Sequence, residues 1–208
     1  MRLRIVSLLL LVLCLATLPA AAQVLYDNGP INGIVSAWTI NFGYAVSDSF
    51  TISGGEANVT GLSFGSWMFP GDVFSSVEVV ITSSEFGGTT YADQVVGLTT
   101  SGCVLNQFGF NVCTQSGSFG TEVNLAAGTY WLTLENAEVP DDPVYWDENS
   151  GPSSASQNSI GTIPSESFTL FGGSGTGTGQ GSTPEPSSIM LFGSGILGLA
   201  GALRRKLF

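Results

Sequence analysis

Between Gln23 and Phe171 hydrophobicity alternates residue by residue in several places, and no long stretch repeats with the period of a helix. Val77, Val79 and Ile81 alternate with Ser76, Glu78, Val80 and Thr82. Tyr130, Leu132 and Leu134 alternate with Thr129, Trp131, Thr133 and Glu135, and Phe168 and Leu170 with Ser167, Thr169 and Phe171. Successive side chains of a strand point to opposite faces, so each run predicts a strand with one buried face. Gly54-Gly55, Pro70-Gly71, Gly87-Gly88 and Ala127-Gly128 supply the turns between them. Many short strands at this spacing predict an all-β domain, an antiparallel β-sandwich of the jelly-roll kind. The absence of an internal repeat argues against a β-helix or a propeller.

Charge divides the chain by position. All five basic residues, Arg2, Arg4, Arg204, Arg205 and Lys206, lie near the ends. Of sixteen acidic residues only Glu185 lies beyond Thr183, so the middle holds fifteen acids and no Lys or Arg. Such a surface repels nucleic acid, whose binding needs phosphate neutralisation, and attracts divalent cations or basic partners. The chain has no histidine. That removes the usual general base, the usual zinc ligand and a Ser-His-Asp triad together, and no enzymatic activity is expected. Two carboxylates alone can cleave a glycosidic bond, but the sequence singles out no such pair.

Residues 1–22 carry the marks of a secretory signal peptide. Arg2 and Arg4 precede an apolar run from Ile5 to Leu18, Pro19 breaks it, and Ala20-Ala21-Ala22 offers small residues for cleavage before Gln23. Cys14 follows Leu13 where a lipidation signal wants a small residue, which argues against a lipoprotein. Residues 172–183 read as a Gly/Ser/Thr linker. The end of the chain, 184–208, has three parts: Pro184-Glu185-Pro186, the uncharged and mostly apolar stretch Ser187–Leu203, and Arg204-Arg205-Lys206. As a helix the 17-residue stretch would span about 25 Å, against about 30 Å of bilayer hydrocarbon. The basic cluster then stays cytoplasmic and the acidic domain, 23–171, lies outside.

Those three elements in order resemble the PEP-CTERM sorting signal, with a departure at Thr183 where Val is common; the same tail resembles the C-terminal domain of ice-binding proteins. The resemblance implies an exosortase-type processing enzyme as partner, membrane anchoring through the C-terminal helix before processing, and a final place in the cell envelope or outside the cell. The stretches Ala37–Phe42, Trp67–Asp72, Trp131–Leu134 and Tyr145–Asp147 also resemble ectodomains common among PEP-CTERM proteins, a group that implies no particular activity.

Cys103 and Cys113 are the only cysteines after the signal segment, and in an oxidising compartment they are expected to pair. The densest chemistry lies in Asp141–Asn149. Aromatic rings stack on the apolar face of a sugar while carboxylates and amides bond its hydroxyls. Tyr145, Trp146, Asp147, Asn149, Gln157 and Asn158 would suffice for a carbohydrate site, and the alternative puts Tyr145 and Trp146 on a core strand. Asp141, Asp142, Asp147 and Glu148 form an oxygen-rich set suited to calcium, without EF-hand spacing. Trp38, Trp67 and Trp131 are expected in the core. Three readings follow: an exported envelope protein that binds exopolysaccharide, a purely structural surface protein, and an ice-binding protein needing a flat Thr-rich face.

Overall fold

The structure, a computed structural model, describes residues 23–174. The expected signal peptide, the linker from 175 onward, the 187–203 helix and the sorting residues Pro184, Glu185, Pro186, Arg204, Arg205 and Lys206 lie outside the described residues.

Thirteen strands and no helix are found among the described residues: β1 Gln23–Asp27, β2 Ala37–Thr39, β3 Val46–Ile52, β4 Ala57–Met68, β5 Ser76–Ser84, β6 Gly87–Gly97, β7 Thr99–Leu105, β8 Asn111–Leu125, β9 Gly128–Glu138, β10 Tyr145–Asp147, β11 Ala155–Gln157, β12 Gly161–Ile163 and β13 Phe168–Ser174. They form two antiparallel sheets enclosing one core, consistent with a β-sandwich. The six-stranded sheet runs β12-β11-β3-β9-β5-β6. In the seven-stranded sheet β4 is central: β8 and then β7 lie on one side, and β13 and β10 share the lane on the other, flanked by β1 and β2.

The alternation read from the sequence fixes the inner faces. Val77, Val79 and Ile81 of β5, Tyr130, Leu132 and Leu134 of β9, and Phe168 and Leu170 of β13 are all buried. Each contributes about 1.5–3 kcal/mol by leaving water. Their outward neighbours Glu78, Val80, Thr133 and Glu135 stand on the opposite face of the six-stranded sheet, where Val80 is registered with Thr133 and Glu78 with Glu135.

Two glycines decide local geometry. Gly172 extends β13 into the expected linker, pairing with Val59, because a Cβ there would collide with the Asn58 carbonyl oxygen. Strand β13 thus runs on to Ser174, and the Gly-rich run begins inside a strand. Gly65, in mid-β4, lets Ser167 and Asp147 press against the backbone, since a Cβ would lie 2.8 Å from Asp147 Cβ.

That contact sits where a lane is interrupted. Strand β10 ends at Asp147, the chain crosses to the other sheet as β11 and β12, then returns at Ser167 to resume the lane as β13. Ser167 N donates to Asp147 O at 2.8 Å and so closes the gap.

Candidate functional site

The structure distributes the six expected carbohydrate residues over three places. Trp146 is fully buried, its indole N–H donates to Ser167 O at 2.8 Å, and its ring packs edge-on against Phe64 and Phe168. Asp147 is also fully buried and accepts from Asn32 N, Gly33 N and Trp67 Nε1 at 2.9, 2.9 and 2.6 Å. Asn149 donates to Asn28 O, and Gln157 to Thr39 O. Placing these four in a sugar site is corrected here: they hold the 148–166 excursion to the sandwich, and no face of Trp146 is left for a ligand. Tyr145 is half-buried against Phe110 at one end of the sandwich. Asn158 alone is exposed, on the outside of the six-stranded sheet.

The expected calcium set is divided as well. Asp141 and Asp142 lie in the loop after β9, whereas Asp147 and Glu148 are buried and already paired, Glu148 accepting from Trp38 Nε1 at 3.0 Å. Among the described residues no three acidic, histidine or cysteine side chains are placed to hold a metal ion. Cys103 and Cys113 form a disulfide across β7 and β8, as expected. Trp67 is in the core, while Trp38 and Trp131 are half-buried.

Sequence reasoning missed a polar node at the interrupted lane. Asn28, fully buried, places Nδ2 within hydrogen-bond distance of Asp48 Oδ2, Ser153 Oγ, Ser165 Oγ and Glu166 O. Asp48 Oδ2 also accepts from Glu166 N at 2.7 Å. Burial pushes the Asp48 carboxyl up to about 6 in spite of these bonds. Glu166 is fully buried and neither of its carboxylate oxygens has a hydrogen-bond partner. Burial first, then the neighbouring Asp48, Glu148 and Asp147, raises it well above the usual carboxylate range. No Lys, Arg or His lies anywhere in the domain to neutralise Glu166, so burial disfavours its charged form.

The chemistry open to solvent lies elsewhere, in a groove of about 350 Å³ on the outer face of the six-stranded sheet. Thr82 and Val80 of β5, Thr133 and Glu135 of β9, Thr90 of β6, Asn158 after β11, and Phe86 line it. Phe86 occupies the two-residue β5–β6 turn with φ of 49°, a left-handed conformation disfavoured for an aromatic residue. Such strain costs about 1–3 kcal/mol and clusters at functional positions. The residue is 40% exposed and lines the groove. Glu135 is raised by burial and then by Glu78 and Asp93 on the same face. The Thr82 and Thr133 hydroxyls are buried and donate to Ser84 O and Ser47 Oγ, so the groups left at the groove's surface are the Thr90 hydroxyl, the Asn158 amide, the Glu135 carboxyl and Phe86; the register of β5, β6 and β9 assembles them from residues far apart in the chain.

Compared with family models, residues 182–206 match the PEP-CTERM protein-sorting motif. The chain carries a PEP-CTERM sorting signal. The motif implies exosortase-dependent sorting to the envelope, with the tail anchored in the membrane before processing. A comparison with curated proteins found no match. The PEP-CTERM motif follows Ser174 after a few residues of Gly-rich chain. Gln23 is registered with Gly172, and Ser174 with Ala57, so the domain's first and last residues lie at one end of the seven-stranded sheet.

Proposed function

We propose that this PEP-CTERM protein is an envelope-displayed jelly-roll domain that binds neutral polysaccharide in the groove over its six-stranded sheet. The jelly-roll form is supported by the strand orders β1-β13-β4-β8 and β3-β9-β5-β6, which interleave two Greek keys. The ligand reading rests on one observation: the strained, exposed Phe86 ring faces a groove lined by Thr82, Thr90, Thr133, Glu135 and Asn158. A groove of this size with a few convergent polar groups suits a short run of sugar rings. Phe86 stacks on a ring face, Thr90 and Asn158 bond hydroxyls, and Glu135 accepts from them when ionised or donates when protonated. The fifteen acids of the domain select against acidic polysaccharides and favour neutral ones.

The test is a binding panel of neutral and acidic polysaccharides on the full chain in detergent. Binding to a neutral polymer that weakens about tenfold in both Phe86→Ala and Asn158→Ala is the expected result; tenfold is about 1.4 kcal/mol, the scale of one aromatic contact. Binding that both substitutions leave intact places the site elsewhere. No binding to any polymer leaves a structural surface domain.

A further inference from the structure

We infer that β7 is a self-association edge, through which two copies of this chain pair strand to strand and extend the seven-stranded sheet across a two-fold axis. Edge strands offer unpaired N–H and C=O groups, and folded proteins blunt them by shortness or charge. The other edges here are blunted. Strands β2 and β12 have three residues each, β1 carries Asp27, and β6 carries Asp93. Strand β7 is seven residues long, exposed at every position, and paired only with β8. It carries no charge, and neither does the stretch around it: from Gln94 to Thr121 there is no acid and no base, in a domain that holds fifteen acids elsewhere.

That neutrality selects the occupant. Two copies of a domain with fifteen carboxylates and no Lys or Arg repel one another on most approaches. The β7 edge is where they meet without bringing carboxylates together. The same edge is apolar: Val104 and Leu105, with Ile34 on the facing loop, are each more than half exposed and line a groove of about 360 Å³. Antiparallel pairing of one strand with its own copy is self-complementary, each residue meeting its two-fold mate's partner, so the assembly closes as a dimer. The bulge between Ser101 and Val104 confines pairing to the flanking segments Thr99–Ser101 and Val104–Leu105, and the Cys103–Cys113 disulfide holds that edge in place.

The experiment uses the full chain in its native envelope. A photoreactive amino acid is placed at Thr100 on the edge and, separately, at the exposed Thr51 of β3, and adducts are identified by mass spectrometry. The expected result is a homodimer cross-linked from Thr100 and not from Thr51. Val104→Lys, at an exposed position where folding is unaffected, should lower the Thr100 homodimer at least tenfold while the melting temperature stays constant. An adduct of Thr100 with a different protein, no adduct, or a homodimer insensitive to Val104→Lys overturns the inference. Polysaccharide binding is read separately in the same samples, and its result bears on neither outcome.

Discussion

The 141–149 segment and the outer face of the six-stranded sheet carry similar side chains to opposite ends. The first concentrates aromatics and carboxylates within nine residues, and the fold turns most of them inward: Trp146 and Asp147 are fully buried and committed to internal hydrogen bonds. The second gathers ordinary residues from Thr82 to Asn158, spread over three strands, a turn and a loop, into one open groove. Local density in sequence therefore measures what a segment holds, and strand register decides what is presented.

The largest test of that contrast is Trp146→Ala. As a core ring packed on Phe64 and Phe168, its loss should destabilise by about 3–5 kcal/mol. Chemical denaturation would register it; an unchanged midpoint with selective loss of sugar binding would restore Trp146 to the surface. Next is pH. A carboxyl raised in the folded state stabilises the fold below its unfolded value and loses that contribution as pH rises through the folded one. For Asp48 the loss runs from about pH 4 to above 6, a difference of roughly 3 kcal/mol at about 1.36 kcal/mol per unit. Glu166, raised in the same direction by burial, adds to the decline. The domain should melt higher at pH 4.5 than at pH 8, and Glu166→Gln should flatten that slope. A melting temperature that instead rises with pH would contradict the buried acid pair.

A third, similar effect separates the hairpin from both regions. Replacing Cys103 and Cys113 by Ser should remove about 2–3 kcal/mol, the chain-entropy value for a loop of this length. Hydrogen exchange should speed first in β7 and β8. The smallest effect belongs to Phe86→Gly, which relieves a left-handed backbone and should leave stability unchanged or raised by up to about 1 kcal/mol. A clear loss of stability would make Phe86 a packing residue rather than a presented one.

The strands whose alternation is uninterrupted, β5, β9 and β13, were legible in the sequence with their buried faces, as was the disulfide. Strand β4 was not, although it is the centre of its sheet: Gly61 and Gly65 break its apolar pattern because neighbours press on its backbone. The polar node was invisible for another reason. Asn28, Asp48 and Glu166 are separated by 20 and 118 residues and meet only once both sheets have formed. Asn158 of the expected site reached the open groove, while Phe86 and Glu135 lay in segments that read only as a turn and a strand. The sorting motif was fully legible because it is read as a linear string.

The last strand of the domain has a mechanical meaning. The membrane tether of the unprocessed chain pulls on Ser174, the end of β13, which is hydrogen-bonded to β1 on one side and β4 on the other. Tension on that tether therefore loads β13 along its length, and both flanking ladders must slide together before the strand can leave. Force is shared among many bonds at once, so the strand is sheared along its neighbours rather than unzipped bond by bond.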